Sequence, residues 1–343
     1  MFSKIKSLFV FAMYAVILSV AGCASIPENV TQVIPKPIQH NILSGREGEN
    51  GPVLVVKIDD TSNAHPQVGL ESADVVYIEQ VEGGLTRLAA VYSSNIPPRI
   101  GPVRSARISD IELLAQYGHV GFAFSGAQHK LLPVIAAANL ADIGAMRRGS
   151  TYFVTDPTRI RPYALFVNAQ ALMLNEKTLG TVIDSAKSVG WSFSEKLENE
   201  GFEITDATMH WPAQRYVAQW DQTSSRWLLN VNSMPDVSDL GNNLGPTTLV
   251  IQIVSITPSE YGDKFGGITP FSQTVGTGKA YVLRDGTVIQ ATWSRPDSLS
   301  ATTWTDATGA EIKFAPGQIW VALTDKEPDF TRKPVSAPTP TSK

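Results

Sequence analysis

The chain has 343 residues, 43% of them hydrophobic, and its 28 Lys and Arg against 32 Asp and Glu give a formal net charge of −4 at pH 7. This acidic balance excludes a generic nucleic-acid-binding protein, which presents a basic face to the phosphate backbone. The single cysteine, Cys23, excludes intrachain disulfides and cysteine-based metal sites, and the length allows two globular domains.

The N-terminus has the pattern of a bacterial lipoprotein signal. Lys4 and Lys6 precede an apolar run over residues 8–20, which is shorter than the roughly 20 residues of a transmembrane helix but suits a secretory signal. Small residues then precede Cys23, as in a lipobox, where the cysteine receives acyl chains such as palmitate. We therefore predict a signal peptide over residues 1–22, lipidation of Cys23, and a location at the cell membrane on its extracytoplasmic face. An ordinary cleaved signal with an incidental cysteine is the alternative.

Removal of the signal peptide would leave 26 basic and 32 acidic side chains, a net charge of −6. Residues 23–50 carry prolines and polar residues without a sustained period, which predicts a flexible stalk. Residues 328–343 are rich in proline, serine and threonine and predict a disordered tail. The folded body is therefore expected between residues 51 and 327.

Strand and helix signals alternate over residues 51–203. Strands are predicted for VLVVKID, HVGFAFS and YFVTD, and a hairpin for VVYIEQV and LTRLAAVYS, which turns at EGG. Ser109 and Glu112 have the spacing of a capping box, which predicts a helix from Ser109 to about Tyr117. Further helices are predicted for QHKLLPVIAAANLADI, NAQALMLNEKTL and TVIDSAKSVG. This alternation predicts an α/β or α+β N-terminal domain with a mixed sheet.

Residues 204–327 carry strand signals almost throughout. Two strands flank a polar turn in RYVAQWDQTSSRWLLNV, LVIQIVSI is an apolar strand, and KAYVLRDGTVIQATW forms a hairpin that turns at Asp285-Gly286. TTWTDATGAEIKF and GQIWVAL predict two more strands. This half is therefore predicted to be a mostly antiparallel β C-terminal domain.

Two arginines stand three residues apart in the segment GPVRSAR. Arginine is permanently charged and presents a planar set of donors that suits carboxylates and phosphates. Arg104 and Arg107 precede the predicted helix, so their side chains are expected to project together beside its positive end. An anion would also meet free backbone N–H groups there. The segment therefore predicts an anion-binding pocket.

Other residues are expected to join this pocket. The turn SGAQ follows a predicted strand, and ligands in α/β sheets favour the carboxyl ends of strands. The predicted ligand-binding residues and their acidic partners are Lys57, Arg87, Arg104, Ser105, Arg107, Ser125 and Gln128, with Asp59, Asp60, Glu79 and Glu82. Residues 57–107 contain six acids and five bases. The alternative is thus a network of internal ion pairs that neutralises every arginine.

The sequence shows no catalytic constellation. Ser105 lies between the arginines, but GPVRSAR lacks the G-x-S-x-G pattern of a nucleophile elbow. The five histidines lack metal-binding spacing, and GTGK at Gly276 lacks the pattern of a phosphate-binding loop. No metal site and no cofactor are predicted, and a binding role is favoured over catalysis.

Several motifs in one order resemble the YerB-like lipoprotein family: KIDDTSNAHPQVGLESADVVY, EGGLTR, GPVRSAR, FSGAQ, GTGKAYVLRDGTVIQATW and GQIWVAL. That family is a bacterial domain of unknown function, number 3048, with an N-terminal and a C-terminal part. The resemblance covers about residues 51–325 and implies architecture and envelope location, but no activity. This chain departs from the family pattern at Asp60, where asparagine is usual, and at His65, where arginine often stands.

Three functions remain open on the sequence. The favoured one is a lipid-anchored envelope protein of unknown specific activity that binds an anionic, phosphate- or carboxylate-bearing envelope ligand through the arginine-lined loops. The second is an enzyme acting on a phosphate-containing glycan or lipid, with the arginines clamping phosphate and Asp59 or Glu82 as the base. The third is a scaffold that grips another envelope protein. The membrane is thus the expected partner through the lipid anchor, and nucleic acid is not.

Overall fold

The computed structural model describes residues 38–263 and 266–334. The predicted signal peptide, Cys23, the first part of the predicted stalk and the end of the predicted tail lie outside the described residues.

The first half of the described chain mixes short strands with helices. Its strands are β1 (Leu54–Asp59), β2 (Val75–Gln80), β3 (Thr86–Tyr92), β4 (Val120–Ala123), β5 (Leu140–Asp142), β6 (Phe153–Thr155) and β7 (Leu165–Val167). Its α-helices are α1 (Ile108–Leu114), α2 (Leu132–Ala137), α3 (Ala145–Arg148) and α4 (Ala169–Leu179). Single turns of 3₁₀ helix occur at Ser62–Ala64, Leu70–Ser72, Glu82–Gly84, Ala115–Tyr117, His129–Leu131 and Gly149–Thr151. Among the described residues, no helix has the length and apolarity needed to cross a membrane.

The second half of the described chain consists of strands. They are β8 (Phe202–Trp211), β9 (Gln214–Asp221), β10 (Arg226–Val231), β11 (Met234–Pro235), β12 (Thr248–Ile253), β13 (Ile256–Gly262), β14 (Ile268–Ser272), β15 (Gly276–Arg284), β16 (Thr287–Arg295), β17 (Thr303–Thr305), β18 (Ile319–Thr324) and β19 (Asp329–Arg332). The predicted fold class, a mixed sheet with helices followed by a mostly antiparallel β region, is confirmed.

One 15-stranded sheet runs through both halves, in the order β11-β10-β9-β8-β16-β15-β12-β18-β2-β3-β1-β4-β5, with β17 on β16 and β19 on β8. Strand β18, from near the C-terminal end, lies between β12 and β2 and is parallel to both. The sheet therefore continues across the predicted division at residues 203 and 204. Two small hairpins, β6-β7 and β13-β14, stand apart from this sheet.

The central strands are buried on both faces, which explains their continuous apolar runs. Along β1, Leu54, Val56 and Ile58 belong to one core cluster and Val55 to the other, because successive side chains point to opposite faces. Lys57 and Asp59 continue the row of Val55. This alternation carries a lysine into the core and an acid to the end of the strand.

The ends of the predicted body are wrong, because the chain packs beyond both limits. Within the predicted stalk, residues 38–50 fold back on the body, with Leu43 fully buried and the Ser44 hydroxyl donating to Asp74 at 2.7 Å. Within the predicted tail, β19 pairs with β8. Tertiary contacts made by distant strands explain both corrections, since composition alone does not show them.

Two predicted helices differ in the structure. The segment TVIDSAKSVG is not helical, because the backbone of Asp184 instead bonds to Val53 (2.9 Å) and His119 (2.9 Å). The helix predicted for QHKLLPVIAAANLADI ends at Ala137, and its last part forms β5, which pairs with β4.

The predicted capping box at Ser109 and Glu112 is also wrong. Helix α1 begins at Ile108 and is capped at Arg107, whose backbone N–H donates to the Asp110 carboxylate at 2.6 Å. The Ser109 hydroxyl instead accepts the backbone N–H of Ser272 at 3.0 Å, and Glu112 accepts that of Thr274 at 2.7 Å. Both side chains therefore join the helix to the second half of the chain rather than to its own N-terminus.

A histidine pairs with carboxylates from both halves. His65 Nδ1 lies 3.1 Å from the Asp236 carboxylate, and Nε2 lies 3.6 Å from that of Asp60. Both carboxyl groups are buried, and Asp60 also accepts the Tyr216 hydroxyl at 2.6 Å. Burial alone lowers the pKa of His65, but hydrogen bonds and charges from Asp236 and Asp60 raise it to about 10 from an ordinary 6.5. The imidazole is therefore a cation at neutral pH.

This cluster predicts a stability that depends on pH. The folded-state pKa of His65 lies above the unfolded value, so its contribution is complete below about pH 6.5 and is lost as the pH rises through about 10. Between pH 7 and 10 we expect the unfolding free energy of the wild type to fall by about 2–4 kcal/mol relative to that of His65→Gln. Urea unfolding of both chains across this range measures the difference. A gap between them that does not change with pH would contradict the assignment.

Candidate functional site

A solvent-connected cleft of about 890 Å³ lies where the ends of the first-half strands meet the β13-β14 hairpin. We call it the arginine cleft. From the first half it is lined by Asp59, Thr61, Val81, Glu82, Leu85, Thr86, Arg87, Arg104, Ser105, Ala106, Arg107, Ala127, Gln128, His129, Leu131, Arg161, Pro162 and Tyr163. From the second half it is lined by Tyr261, Gly262, Asp263 and Thr269.

Backbone hydrogen bonds fix the segment GPVRSAR at the edge of the cleft. The backbone N–H of Arg104 donates to the carbonyl of Lys57 at 2.8 Å, and its carbonyl accepts from Ser125 at 2.9 Å. The N–H of Ala106 donates to Gly126 at 2.9 Å. The segment is thus held between the end of β1 and the turn after β4. Arg104 and Arg107 line the same cleft as a result.

Arg104 is paired with an acid from the end of β1. Its Nε donates to Asp59, whose carboxylate also accepts the backbone N–H of Thr61 at 2.8 Å. The guanidinium lies over the ring of Tyr163, 5.4 Å from its centroid. The Arg104 side chain is 20% exposed, so it is oriented by these partners and still reaches the cleft.

Arg107 is paired with Glu82 through two hydrogen bonds. Its Nε and a terminal nitrogen donate to Glu82 Oε2 at 3.0 and 2.6 Å, and the other Glu82 oxygen accepts the Thr269 hydroxyl. Burial alone raises the pKa of Glu82, but the bonds from Arg107 and Thr269 lower it overall. Glu82 is therefore ionised at neutral pH, and it joins α1, the turn after β2 and strand β14.

Arg87 differs from these two arginines. It lines the cleft, and its guanidinium donates to the backbone carbonyl of Ser105 at 3.0 Å. Within residues 38–263 and 266–334, no carboxylate oxygen lies within 4.0 Å of its guanidinium nitrogens. Burial lowers the pKa of Arg87 to about 9, and the positive charge of Arg107 adds to the effect. Arg87 is thus a charged, partly buried group whose charge is poorly compensated.

The remaining predicted polar residues line the cleft or the pocket beside it. Gln128 lines the cleft itself. Ser125 lines a side pocket of about 290 Å³, which shares Arg104 and Arg161 with the cleft. The hydroxyl oxygens of Ser105 and Ser125 are 3.3 Å apart. The SGAQ turn and the GPVRSAR segment therefore lie side by side.

Lys57, Glu79 and Asp60 are not part of the cleft lining. Lys57 is fully buried, and its ammonium group contacts Glu79 at 2.6 Å and Asp110 at 2.7 Å. Burial, together with the charge of Asp110, raises the pKa of Glu79 to about 8 despite Lys57. Asp60 is buried in the His65 cluster. The prediction that Lys57 joins the arginines is thus wrong in geometry, because it points into the core.

Several cleft residues were not predicted. Arg161 and Tyr163 come from the loop PTRIRPY, which is rich in arginine but far from GPVRSAR in sequence. Tyr261, Asp263 and Thr269 come from the β13-β14 hairpin. No local pattern marks these positions, because only the tertiary fold brings the hairpin to the cleft. The four arginines face the carboxylates of Asp59, Glu82 and Asp263, so this lining carries one excess positive charge with His129 neutral.

Comparisons with known proteins give one family. The family model described as "Protein of unknown function (DUF3048) N-terminal domain" matches residues 42–182, and that of the DUF3048 C-terminal domain matches residues 207–321. Every residue that lines the arginine cleft lies within one of these two matched regions.

A curated relative and a solved structure agree with this result. The relative, "Putative lipoprotein YerB" from Bacillus subtilis (strain 168), is 46% identical over 59 residues, which are 17% of this chain and 18% of the relative. The chain thus matches less than a fifth of that protein's length. The crystal structure of the YerB protein from Bacillus subtilis superposes with a TM-score of 0.72 at 17% identity, over 86% of this chain and all of that chain. At this identity the likeness shows the fold.

Arg107 and Arg87 are expected to differ in how much their loss changes stability. We expect Arg107→Gln to lower the unfolding free energy by roughly 3 kcal/mol, because it leaves the Glu82 carboxylate buried without its cation. Arg87→Gln should change it by less than about 1 kcal/mol, since it removes a poorly compensated charge and one carbonyl contact. Urea denaturation measures both values. The control is the double variant Glu82→Gln with Arg107→Gln, which should recover much of the loss; equal losses for Arg87→Gln and Arg107→Gln would contradict the distinction.

Proposed function

The chain belongs to the DUF3048 family, and from that premise we propose that it is a lipid-anchored protein of the cell envelope that binds an anionic ligand in the arginine cleft. The ligand bears phosphate or carboxylate groups. The location follows from the lipobox pattern at Cys23 and agrees with the name of the curated relative, "Putative lipoprotein YerB".

The state of Arg87 is the observation that carries the binding proposal. A partly buried guanidinium bonded to one neutral carbonyl is poorly stabilised, and its lowered pKa reflects that cost. An anion in the cleft would supply the missing negative charge. Arg161 is an exposed residue of the same lining and would supply a second cation to the anion. Charge-assisted hydrogen bonds from guanidinium to phosphate or carboxylate are the strong ones in proteins.

The contacts of the acids favour binding over catalysis. Glu82 is held by Arg107 and Thr269, and these bonds lower its pKa, whereas a general base works best with a pKa near the operating pH. Asp59 is bonded to Arg104 and Thr61. Both carboxylates therefore orient arginines. No observation favours the scaffold role over binding.

We expect inorganic phosphate to raise the melting temperature of the full chain, studied in uncharged detergent micelles at low ionic strength, because a ligand that binds only the folded state stabilises it. Arg87→Gln should weaken phosphate affinity by about 1.5–3 kcal/mol, the scale of a charge-assisted bond. The matched control is Arg226→Gln, since within the described part of the chain Arg226 also bonds to backbone carbonyls alone, those of Gly245 and Asn243, and lines a different cleft. Equal phosphate stabilisation of the wild type and Arg87→Gln would refute the site.

The lipid anchor gives a separate prediction. Each buried methylene of an acyl chain contributes about 0.8 kcal/mol to membrane binding, so Cys23→Ser should move the protein from the membrane fraction to the soluble fraction of the extracytoplasmic compartment. Fractionation after a high-salt wash measures this, with Arg226→Gln as a variant that should stay in the membrane. Persistence of Cys23→Ser in the washed membranes would argue against acylation of this residue.

A further inference from the structure

The charge, size and walls of the arginine cleft narrow the class of anion. We propose that its ligand is a phosphodiester with organic groups on both sides of the phosphate, carried by a lipid headgroup or by a polyol-phosphate or sugar-phosphate chain. This proposal rests on the proposed function, and it concerns the same site.

The one excess positive charge of the lining is balanced by a ligand with a single negative charge. Arg104 and Arg107 are each bonded to a carboxylate, so Arg87 is the inner cation that lacks one in the described part of the cleft. The charges of Glu82 and Asp59 both act on Arg87, which means that an anion bound there also feels these two acids. A singly charged diester completes the charge balance. A doubly charged monoester would add a second negative charge beside two carboxylates, and like charges repel.

The size of the cleft matches an organic ligand. Its volume of about 890 Å³ falls in the range of roughly 300–1,000 Å³ typical of pockets for organic molecules. A bare phosphate ion is only a few times larger than a water molecule, which takes up about 30 Å³, so it would leave most of the cleft filled with solvent. The space therefore fits an anion that is part of a larger molecule.

The apolar side chains of the lining can contact organic groups beside the phosphate. Apolar and aromatic side chains come from separate segments of the lining: Val81 and Leu85, Leu131, Pro162 and Tyr163, and Tyr261. Two exposed apolar side chains adjoin lining residues in the chain, Ile160 at 72% exposure and Ile268 at 60%. A phosphodiester carries an organic substituent on each side of its phosphate, whereas a monoester carries only one. Apolar side chains from separate segments of the lining can contact both substituents of a diester. Tyrosines present both an apolar ring face and a hydroxyl to a polyol or sugar.

Calorimetric titration of the full chain in uncharged detergent micelles tests the proposal with three phosphates. They are glycerophosphoglycerol as the diester, sn-glycerol 3-phosphate as the monoester, and inorganic phosphate. We expect the diester to bind at least 10-fold more tightly than the monoester. We also expect Arg87→Gln to weaken diester binding at least 10-fold, while the control Arg226→Gln leaves it unchanged.

The outcomes separate this proposal from the proposed function. Arg87-dependent binding of the monoester or of inorganic phosphate with equal or higher affinity than the diester would overturn the diester and leave the anion-binding function standing. A further titration with acetate covers a carboxylate ligand, and no binding of acetate or of any of the three phosphates would overturn both. Diester binding that Arg87→Gln leaves unchanged would overturn the cleft as the diester site.

A second arm identifies the source of the diester. Short-chain phosphatidylglycerol carries the same headgroup with acyl chains, and short-chain phosphatidylcholine is the matched lipid without net charge. Arg87-dependent binding of phosphatidylglycerol above that of glycerophosphoglycerol supports a lipid source, and tighter binding of the deacylated diester supports a polyol-phosphate or sugar-phosphate chain. Equal, Arg87-independent binding of both lipids would overturn headgroup recognition in the cleft.

Discussion

The ion pair between Arg107 and Glu82 is the interaction on which the architecture of the cleft depends. Glu82 lies in the turn between β2 and β3, Arg107 caps α1, and the Thr269 hydroxyl brings strand β14 to the same carboxylate. Three parts of the chain that are remote in sequence are thereby held at one point. Arg107 and Thr269 hold the Glu82 carboxylate, whereas Arg87 donates to the backbone carbonyl of Ser105. The ion pair thus joins the segments around Arg87, which has no carboxylate partner among the described residues.

The sequence predicts the parts of this site that are local in the chain. Arg104 and Arg107 stand three residues apart just before a helix, and the SGAQ turn follows a strand, so each feature is visible in neighbouring residues. The sequence places Lys57 wrongly in the cleft because strand β1 is buried on both faces, which is not visible locally. The acidic partners of Lys57 lie 22 and 53 residues away in the chain. Tyr261 and Thr269 carry no signal at all, since their hairpin reaches the cleft through long-range packing of β14 on α1, on β2 and on the turn that contains Glu82. Long-range contacts, which account for these errors, leave no periodicity in a single sequence.

The cluster around His65 joins the two halves of the chain through charge. Asp60 follows β1 in the first half, and Asp236 follows β11 in the second. These two carboxylates hold the His65 imidazole in its charged form. The link between the halves therefore depends on a cation that titrates.

The sequence allowed either an ion-pair network or an anion-binding pocket, and the structure contains parts of both. Most of the bases are paired with acids, whereas one arginine of the cleft is not paired within the described part of the chain. Residues 57–107 contain five bases. Lys57 pairs with Glu79 and Asp110, Arg99 with Asp156, Arg104 with Asp59 and Arg107 with Glu82. Arg87 is the fifth base, and in the described residues it has a carbonyl where the others have carboxylates. This network pairs four of the bases with carboxylates and leaves the charge of Arg87 poorly compensated at the wall of a large cleft. Such a charge becomes favourable when an anion enters, because the anion then meets a guanidinium that is already held in place and only partly solvated.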